Sequence, residues 1–448
     1  MDAEFWDSPF SSKQEGLAES RKVIFAYHQI HYIGYVLFIL ANMKILFPYL
    51  ARWRSANRSR YHQLLSHLCD FGHQIYVLNA PTMAINDISA KDVSGQEDAL
   101  PSGMTVGELN TPELLRTFWT TPIRRTKLLK KGLVSITSIS QIRRFIDKEN
   151  IDVLLLYNLP QVPLLHLVEC RTHFDLADDL VAMMEVEDGF TAKAGGKLLA
   201  RIVQTHMLSK ADTVTVASSI LEDQTEREVL MLPNGADCEY LDEVDGSRWR
   251  SKGLGPTVGF VGAFEYWVDF DLVIQVARKL PGVHFVLVGS GRRYDYVRQQ
   301  VDLLGLRNVT LTGVLPYDQA MSYAAGVDVC ILPFNHGPVA DGSCPLKLFE
   351  YAALRKPIVS TSTQEVMKIG EGWISFADNP EDFAGAIEAF LADSSAASFS
   401  AGTGRTLVEQ RYNWKLLARQ FESLLLNGAV TDLEASSARG KILEELES

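Results

Sequence analysis

The sequence predicts an α/β protein made of two Rossmann-like halves facing each other across a cleft, and three observations carry that prediction. Short continuous apolar runs, such as IDVLLL at 151–156 and HFVLV at 284–288, suit strands of a parallel sheet covered on both faces. Those runs alternate with helical segments, the pattern of right-handed parallel units. A turn-rich junction, LPNGAD at 232–237, marks the passage from one set of units to the next.

The first half follows an acidic, polar tail at 1–20 that lacks the basic start and apolar core of a secretory signal. It occupies 21–237. Residues 22–27 (KVIFAY) read as its first strand, 61–71 as a helix stopped by Gly72, and 74–79 as the second strand. Residues 86–111 are polar and aperiodic, and read as a long loop. Strands at 151–156 and 213–217 and a helix at 197–210 complete this half. A linker at 238–256 leads to the second half, 257–410, with strands at 257–261, 284–288, 309–311, 327–332 and 358–361 and a helix at 271–280. The final helix, 411–427, is apolar on one face and is expected to cross back to the first half. The tail, 428–448, is polar and reads as loose.

The chain has 448 residues and 47 % hydrophobic content, enough for two cores. Its net charge of −12 argues against general nucleic-acid binding. Five cysteines lie far apart without metal or redox spacing, which suits reduced thiols in the cytoplasm. The apolar stretch 30–50, followed by Arg52, Arg54, Arg58 and Arg60, has the length of a membrane span. Asn42, Lys44 and Pro48 weaken that reading and leave membrane-surface docking or a core helix open.

Open parallel sheets bind ligands beyond the carboxyl ends of their strands. Gly262 and Gly289 end two predicted strands there, although no G-x-G-x-x-G fingerprint exists. Residues 345–360 read as a turn, a helix and a buried strand. Lys347 and Glu350, three apart, share the face of its first turn. An anion is favoured at such a helix start. A lysine there can meet a diphosphate and a glutamate can accept from sugar hydroxyls, while a plain surface pair remains the other reading.

Taken in order, these segments resemble the donor half of GT-B glycosyltransferases. The matching parts are 232–237, then 258–262 with Trp267 and Asp269, then FVLVG at 285–289, TGVLPY at 312–317, DVCILP at 328–333 and the signature at 345–357. The resemblance implies a nucleotide-sugar site formed by Gly262, Gly289, Val314, Leu315, Pro316, Leu346, Lys347 and Glu350, with the lysine on the phosphates and the glutamate on the ribose. In the first half, RSRYHQLL at 58–65, Gly72-His73, Asn79-Ala80-Pro81 and FDLADD at 174–179 are similar to exopolysaccharide and teichuronic-acid transferases, including the xanthan-type glucuronosyltransferase branch. Many retaining members carry a second acid eight residues before the signature glutamate. Here that position is Gly342, beside Asp341.

The resemblance implies an enzyme that moves a sugar from a UDP- or GDP-sugar to a saccharide or polyprenyl-linked acceptor in cell-surface polysaccharide assembly, without metal or cofactor. It places the acceptor base among Asp179, Asp178 and Asp175, for which a helix cap is the bland alternative. His173 is a rival base. The adjacent Asp178 and Asp179 lack a third metal ligand. His28 and His31 are candidate acceptor-site groups. So is a basic, apolar block at 113–148 that includes Arg124, Arg125, Lys130 and Lys131 and suits an anionic membrane. The expected place of work is the inner face of the cell membrane. A nucleotide-sugar epimerase or a non-catalytic scaffold of the same fold are the rival readings.

Overall fold

The computed structural model describes residues 42–53, 58–80, 100–110, 127–187, 195–248, 250 and 255–428. The readings at 1–20, 22–27, His28, His31, Arg124, Arg125 and 429–448 lie outside these residues.

The first sheet is seven-stranded and wholly parallel. In chain order its lobe comprises β1 (Lys44–Tyr49), α1 (Arg60–Asp70), β2 (Gln74–Asn79), β3 (Met104–Glu108), α2 (Lys127–Glu149), β4 (Val153–Leu156), β5 (Arg171–Leu176), α3 (Leu180–Glu187), α4 (Lys197–Lys210), β6 (Thr213–Val216) and β7 (Leu230–Met231). The strand order is β3-β2-β1-β4-β5-β6-β7. Two expectations are corrected here. Part of the membrane-docking stretch 30–50 is β1, the central strand, whose Ile45, Leu46 and Phe47 are fully buried between β2 and β4. Its apolarity therefore serves a sheet covered on both faces. The long loop expected at 86–111 contains β3, an edge strand whose half-exposed sequence MTVGE carries no apolar run to betray it.

The second sheet is six-stranded and again parallel, in the order β10-β9-β8-β11-β12-β13. Its lobe runs through β8 (Thr257–Val261), α5 (Phe270–Lys279), β9 (His284–Val288), α6 (Tyr294–Leu304), β10 (Val309–Gly313), α7 (Tyr317–Gly326), β11 (Val329–Leu332), α8 (Leu346–Ala353), β12 (Ile358–Ser360), α9 (Gln364–Gly370), β13 (Ser375–Phe376), α10 (Pro380–Ala392) and α11 (Ser394–Arg411). Every residue of β8 and β11 is buried, as a central parallel strand requires. The segment read as a linker is partly structured: a helical turn at Cys238–Asp242 sends Cys238 and Leu241 into this lobe's core.

Polar contacts between the lobes come from residues just past strand carboxyl ends. Ser218, after β6, donates to the Gly342 carbonyl at 2.7 Å, and Ser219 donates to Glu365 Oε2 at 2.7 Å. Asn234, after β7, donates through Nδ2 to the Cys344 carbonyl. The two carboxyl edges thus face each other, and each sheet reverses its strand order there, between β1 and β4 and between β8 and β11. The last helix, α12 (Trp414–Asn427), crosses back to the first lobe. Glu422 Oε1 bonds His73 at 2.7 Å, Leu425 accepts from Arg171 at 2.7 Å, and Phe421 packs edge-on against His173. No helix among the described residues is long and apolar enough to cross a membrane.

Candidate active site

The switch point of the second sheet holds the groups singled out in the sequence. β8 ends at Val261, and Gly262 follows with a φ of +152°. Its missing side chain makes room: a Cβ there would lie 2.5 Å from Lys347 Nζ. Gly289, after β9, has a φ of +128°, and a Cβ on it would meet the Gly262 carbonyl oxygen at 2.0 Å. Glycine is required at both positions by backbone conformation and by close approach.

Lys347 is the second residue of α8, whose N-cap, Pro345, offers no side-chain bond to the first amides. Its half-buried ammonium lies 4.4 Å from the Phe260 ring centroid and 5.7 Å from that of Phe334. Among the described residues it has no hydrogen bond or ion pair. Burial pulls its pKa down to about 8, opposed by Glu350. A cation held by ring faces beside free helix amides is a receptor for a polyanion.

Glu350 lies one turn further along α8. Its Oε1 accepts from Tyr317 Oη at 2.8 Å, and burial pushes its carboxyl above the usual range against the pull of Tyr317 and Lys347. Val314, Leu315 and Pro316 form the half-buried loop from β10 to α7, and Leu346 opens α8. The structure therefore brings Gly262, Gly289, Val314, Leu315, Pro316, Leu346, Lys347 and Glu350 to one edge of one sheet.

The three aspartates of the first lobe part company. Asp175, at the end of β5, is buried in a two-pronged ion pair with Arg60, at 2.9 and 3.0 Å, and accepts from Thr215 at 2.6 Å. Burial opposes its charge, but Arg60 and Thr215 outweigh that and hold its pKa low. Asp179 caps α3: Oδ1 accepts from the Ala182 amide at 2.8 Å and Oδ2 from Gln224 at 3.1 Å. Asp178 has no hydrogen bond or ion pair among the described residues. It keeps a face open to solvent while protein atoms hem in the rest; that crowding first, then the charge of Asp175, pushes its pKa up. His173 is buried with both nitrogens near threonine hydroxyls, Thr213 at 2.9 Å and Thr215 at 3.0 Å. Burial lowers its pKa to about 4. Neither Asp175 nor His173 is available to take a proton from a ligand.

A Cβ on Gly342 would stand 4.0 Å from Asp179 Cβ, so Asp179 lies across from that position. Asp341 turns away, accepting from the amides of Gly337 and Gln364, each at 3.2 Å. Lys130 and Lys131 lie on α2 of the first lobe, Lys131 half-buried.

The sequence reading did not single out Tyr317, which it quoted only within 312–317, or Arg58, quoted only within 58–65 and among the basic flanks of 30–50, and it passed over Tyr240. The Arg58 guanidinium lies 4.7 Å from the Tyr240 ring and 5.2 Å from the Tyr317 ring, so the first lobe touches the partner of Glu350. The one available signal was the aromatic residue directly after the 314–316 loop.

Comparison with known proteins accords with this geometry. The glycosyl transferases group 1 family model matches residues 255–393. A Bacillus subtilis protein described as a teichuronic acid biosynthesis glycosyltransferase, TuaH, is 25 % identical over 281 residues, covering 59 % of this chain and 70 % of its own. A 2-deoxystreptamine N-acetyl-D-glucosaminyltransferase of Streptomyces fradiae is 32 % identical over 97 residues, 19 % of this chain and 23 % of its own. Sucrose-phosphate synthase from Thermosynechococcus elongatus shares the fold with a TM-score of 0.67 at 16 % identity, over 86 % of this chain and 98 % of that one. Anabaena HepE, solved with UDP-glucose, does so with a TM-score of 0.62 at 16 % identity, over 86 % and 99 %. Two facing parallel-sheet lobes and these relatives identify the protein as a glycosyltransferase of the GT-B type.

Proposed function

We propose that the protein transfers a sugar from a UDP- or GDP-sugar to a saccharide or polyprenyl-linked acceptor during assembly of a cell-surface polysaccharide, at the inner face of the cell membrane. The observation that carries this reading is the Lys347 ammonium, unpaired among the described residues and poised over Gly262 at the carboxyl edge of β8. HepE binding UDP and UDP-glucose and the teichuronic-acid role named for the Bacillus relative support it.

In this reading the donor diphosphate meets Lys347 and the first amides of α8, which stabilise charge as the leaving group departs. With that charge supplied by the chain, the reaction calls for no resident metal or cofactor. Glu350 exchanges the Tyr317 hydroxyl for ribose hydroxyls. Asp178 takes the acceptor proton in an inverting transfer: its raised pKa makes it a better base than an ordinary carboxylate, and its neighbours Asp175 and Asp179 are already engaged.

Titration calorimetry with UDP and an assay of sugar transfer test this together. Lys347→Ala loses a charge-assisted contact worth about 1.5–3 kcal/mol, a tenfold to hundredfold weakening; unchanged affinity would remove the phosphate role. Asp178→Asn keeps UDP affinity and abolishes transfer. Full transfer by that variant would move the base elsewhere.

A further inference from the structure

We propose that the cleft-side end of α4 docks the protein on an anionic lipid surface, through Leu198, Leu199 and Ile202 with Arg201 beside them. This deepens the reading of a lipid-linked acceptor and rests on it.

α4 has two apolar faces where an ordinary surface helix has one. Ala200, Met207 and Leu208 are buried with Gln204 on the lobe side, which satisfies the core. Leu198, Leu199 and Ile202 point elsewhere and are 65 %, 62 % and 56 % exposed. Leu167, 40 % exposed, lies on the neighbouring turn Leu164–Leu167, which is tied to the later part of α4 by a 2.7 Å bond between His166 and His206. Scattered exposed leucines are normal, but adjacent ones on a single turn mark a surface that meets something apolar.

Charge selects the occupant. The fourteen residues of α4 contain Lys197, Arg201 and Lys210 and no acid, in a chain of net charge −12. Large aliphatics flanked by cations fit an interface of acyl chains and anionic headgroups. Position supports the same occupant. Only Ala211 and Asp212 separate the end of α4 from β6, so its other end rises towards the carboxyl edge of the sheet. At mid-helix, Gln204 donates to Gln224 at 2.7 Å, and Gln224 donates to Asp179 at 3.1 Å. Through its lobe-facing Gln204, α4 thus reaches the loop carrying Asp178, while the patch lies on the outer side of the helix. A membrane seated there delivers the head of a lipid-linked acceptor to the cleft. The central strand β1, by contrast, offers no docking surface.

The test is flotation of the full chain with vesicles of equal parts phosphatidylglycerol and phosphatidylcholine. The expected result is that wild type floats, that added salt weakens it, and that Leu198→Glu with Ile202→Glu lowers the bound fraction by roughly tenfold or more, since two aliphatics leave the interface. Arg201→Glu, which spares the aliphatics, gives a smaller loss. The proposal is overturned if wild type stays down, if it floats equally on pure phosphatidylcholine, if the double variant floats like wild type, or if the substitutions instead dissociate a dimer seen by light scattering. UDP affinity and transfer to a water-soluble acceptor saccharide are read on the same samples. Both should survive in the double variant, and their loss in wild type would refute the transferase reading independently of flotation.

Discussion

Phe260 and Phe334 surround the Lys347 ammonium with ring faces in place of water, and its pKa falls to about 8. At neutral pH the group is still mostly charged, and an arriving diphosphate would stabilise that charge further. His173 shows burial acting on a base with no ligand to meet. The unfolded chain binds this proton near pH 6.5, whereas the folded chain resists it until about pH 4. Between those values the unfolded state holds more protons, so stability falls as pH drops through the window, by about 2 kcal/mol on reaching pH 5. Urea titrations at pH 7 and pH 5 should show that acid-side loss shrinking in His173→Gln. An unchanged loss in the variant would mean that His173 titrates normally in the folded protein.

Strand ends and the turns after them set the donor site. Gly262 and Gly289 follow neighbouring strands, yet alanine at each should act differently. At Gly262 the new Cβ meets the mobile end of Lys347. Gly262→Ala should therefore cost about 1–3 kcal/mol of backbone strain, leave a folded protein, and weaken UDP binding about tenfold by displacing the ammonium. At Gly289 the Cβ meets backbone, the Gly262 carbonyl, so Gly289→Ala should lower the melting temperature further. Calorimetry and thermal melts of the pair check this, and equal melting temperatures would contradict it. These elements were legible in the sequence because β8, β9 and β11 are mostly apolar runs followed by glycine or proline. β1 was not: 30–50 is apolar but for a few residues such as Asn42 and Lys44, without a period that separates strand from helix. The 394–411 helix, rich in serine, alanine and glycine, shows little apolar periodicity and emerges only from packing on α8. Nor could the sequence choose among Asp175, Asp178 and Asp179, because the choice rests on Arg60, which lies 115 residues from Asp175.

At the scale of the whole molecule, Arg60 anchors the place where the lobes meet. Besides Asp175 it donates to the Pro233 carbonyl at 3.0 Å and to Asn234 Oδ1 at 3.2 Å, and Asn234 in turn holds Cys344 of the second lobe. Removing the guanidinium would leave Asp175 buried with its charge uncompensated, a loss of about 3–5 kcal/mol. The pH dependence identifies the cause. With Arg60 present, the folded pKa of Asp175 is depressed. Its contribution is then complete above the unfolded value of about 3.9 and is lost as pH falls through the folded one. In Arg60→Ala burial dominates and the folded pKa rises above the unfolded value. The deficit should therefore be largest at neutral pH and shrink as the medium is acidified and Asp175 takes up a proton. Asp175→Asn in the Arg60→Ala background should recover part of the loss at neutral pH and none at acid pH. Urea unfolding of the two variants across that range measures both effects, and a deficit independent of pH would show that Arg60 acts by packing alone.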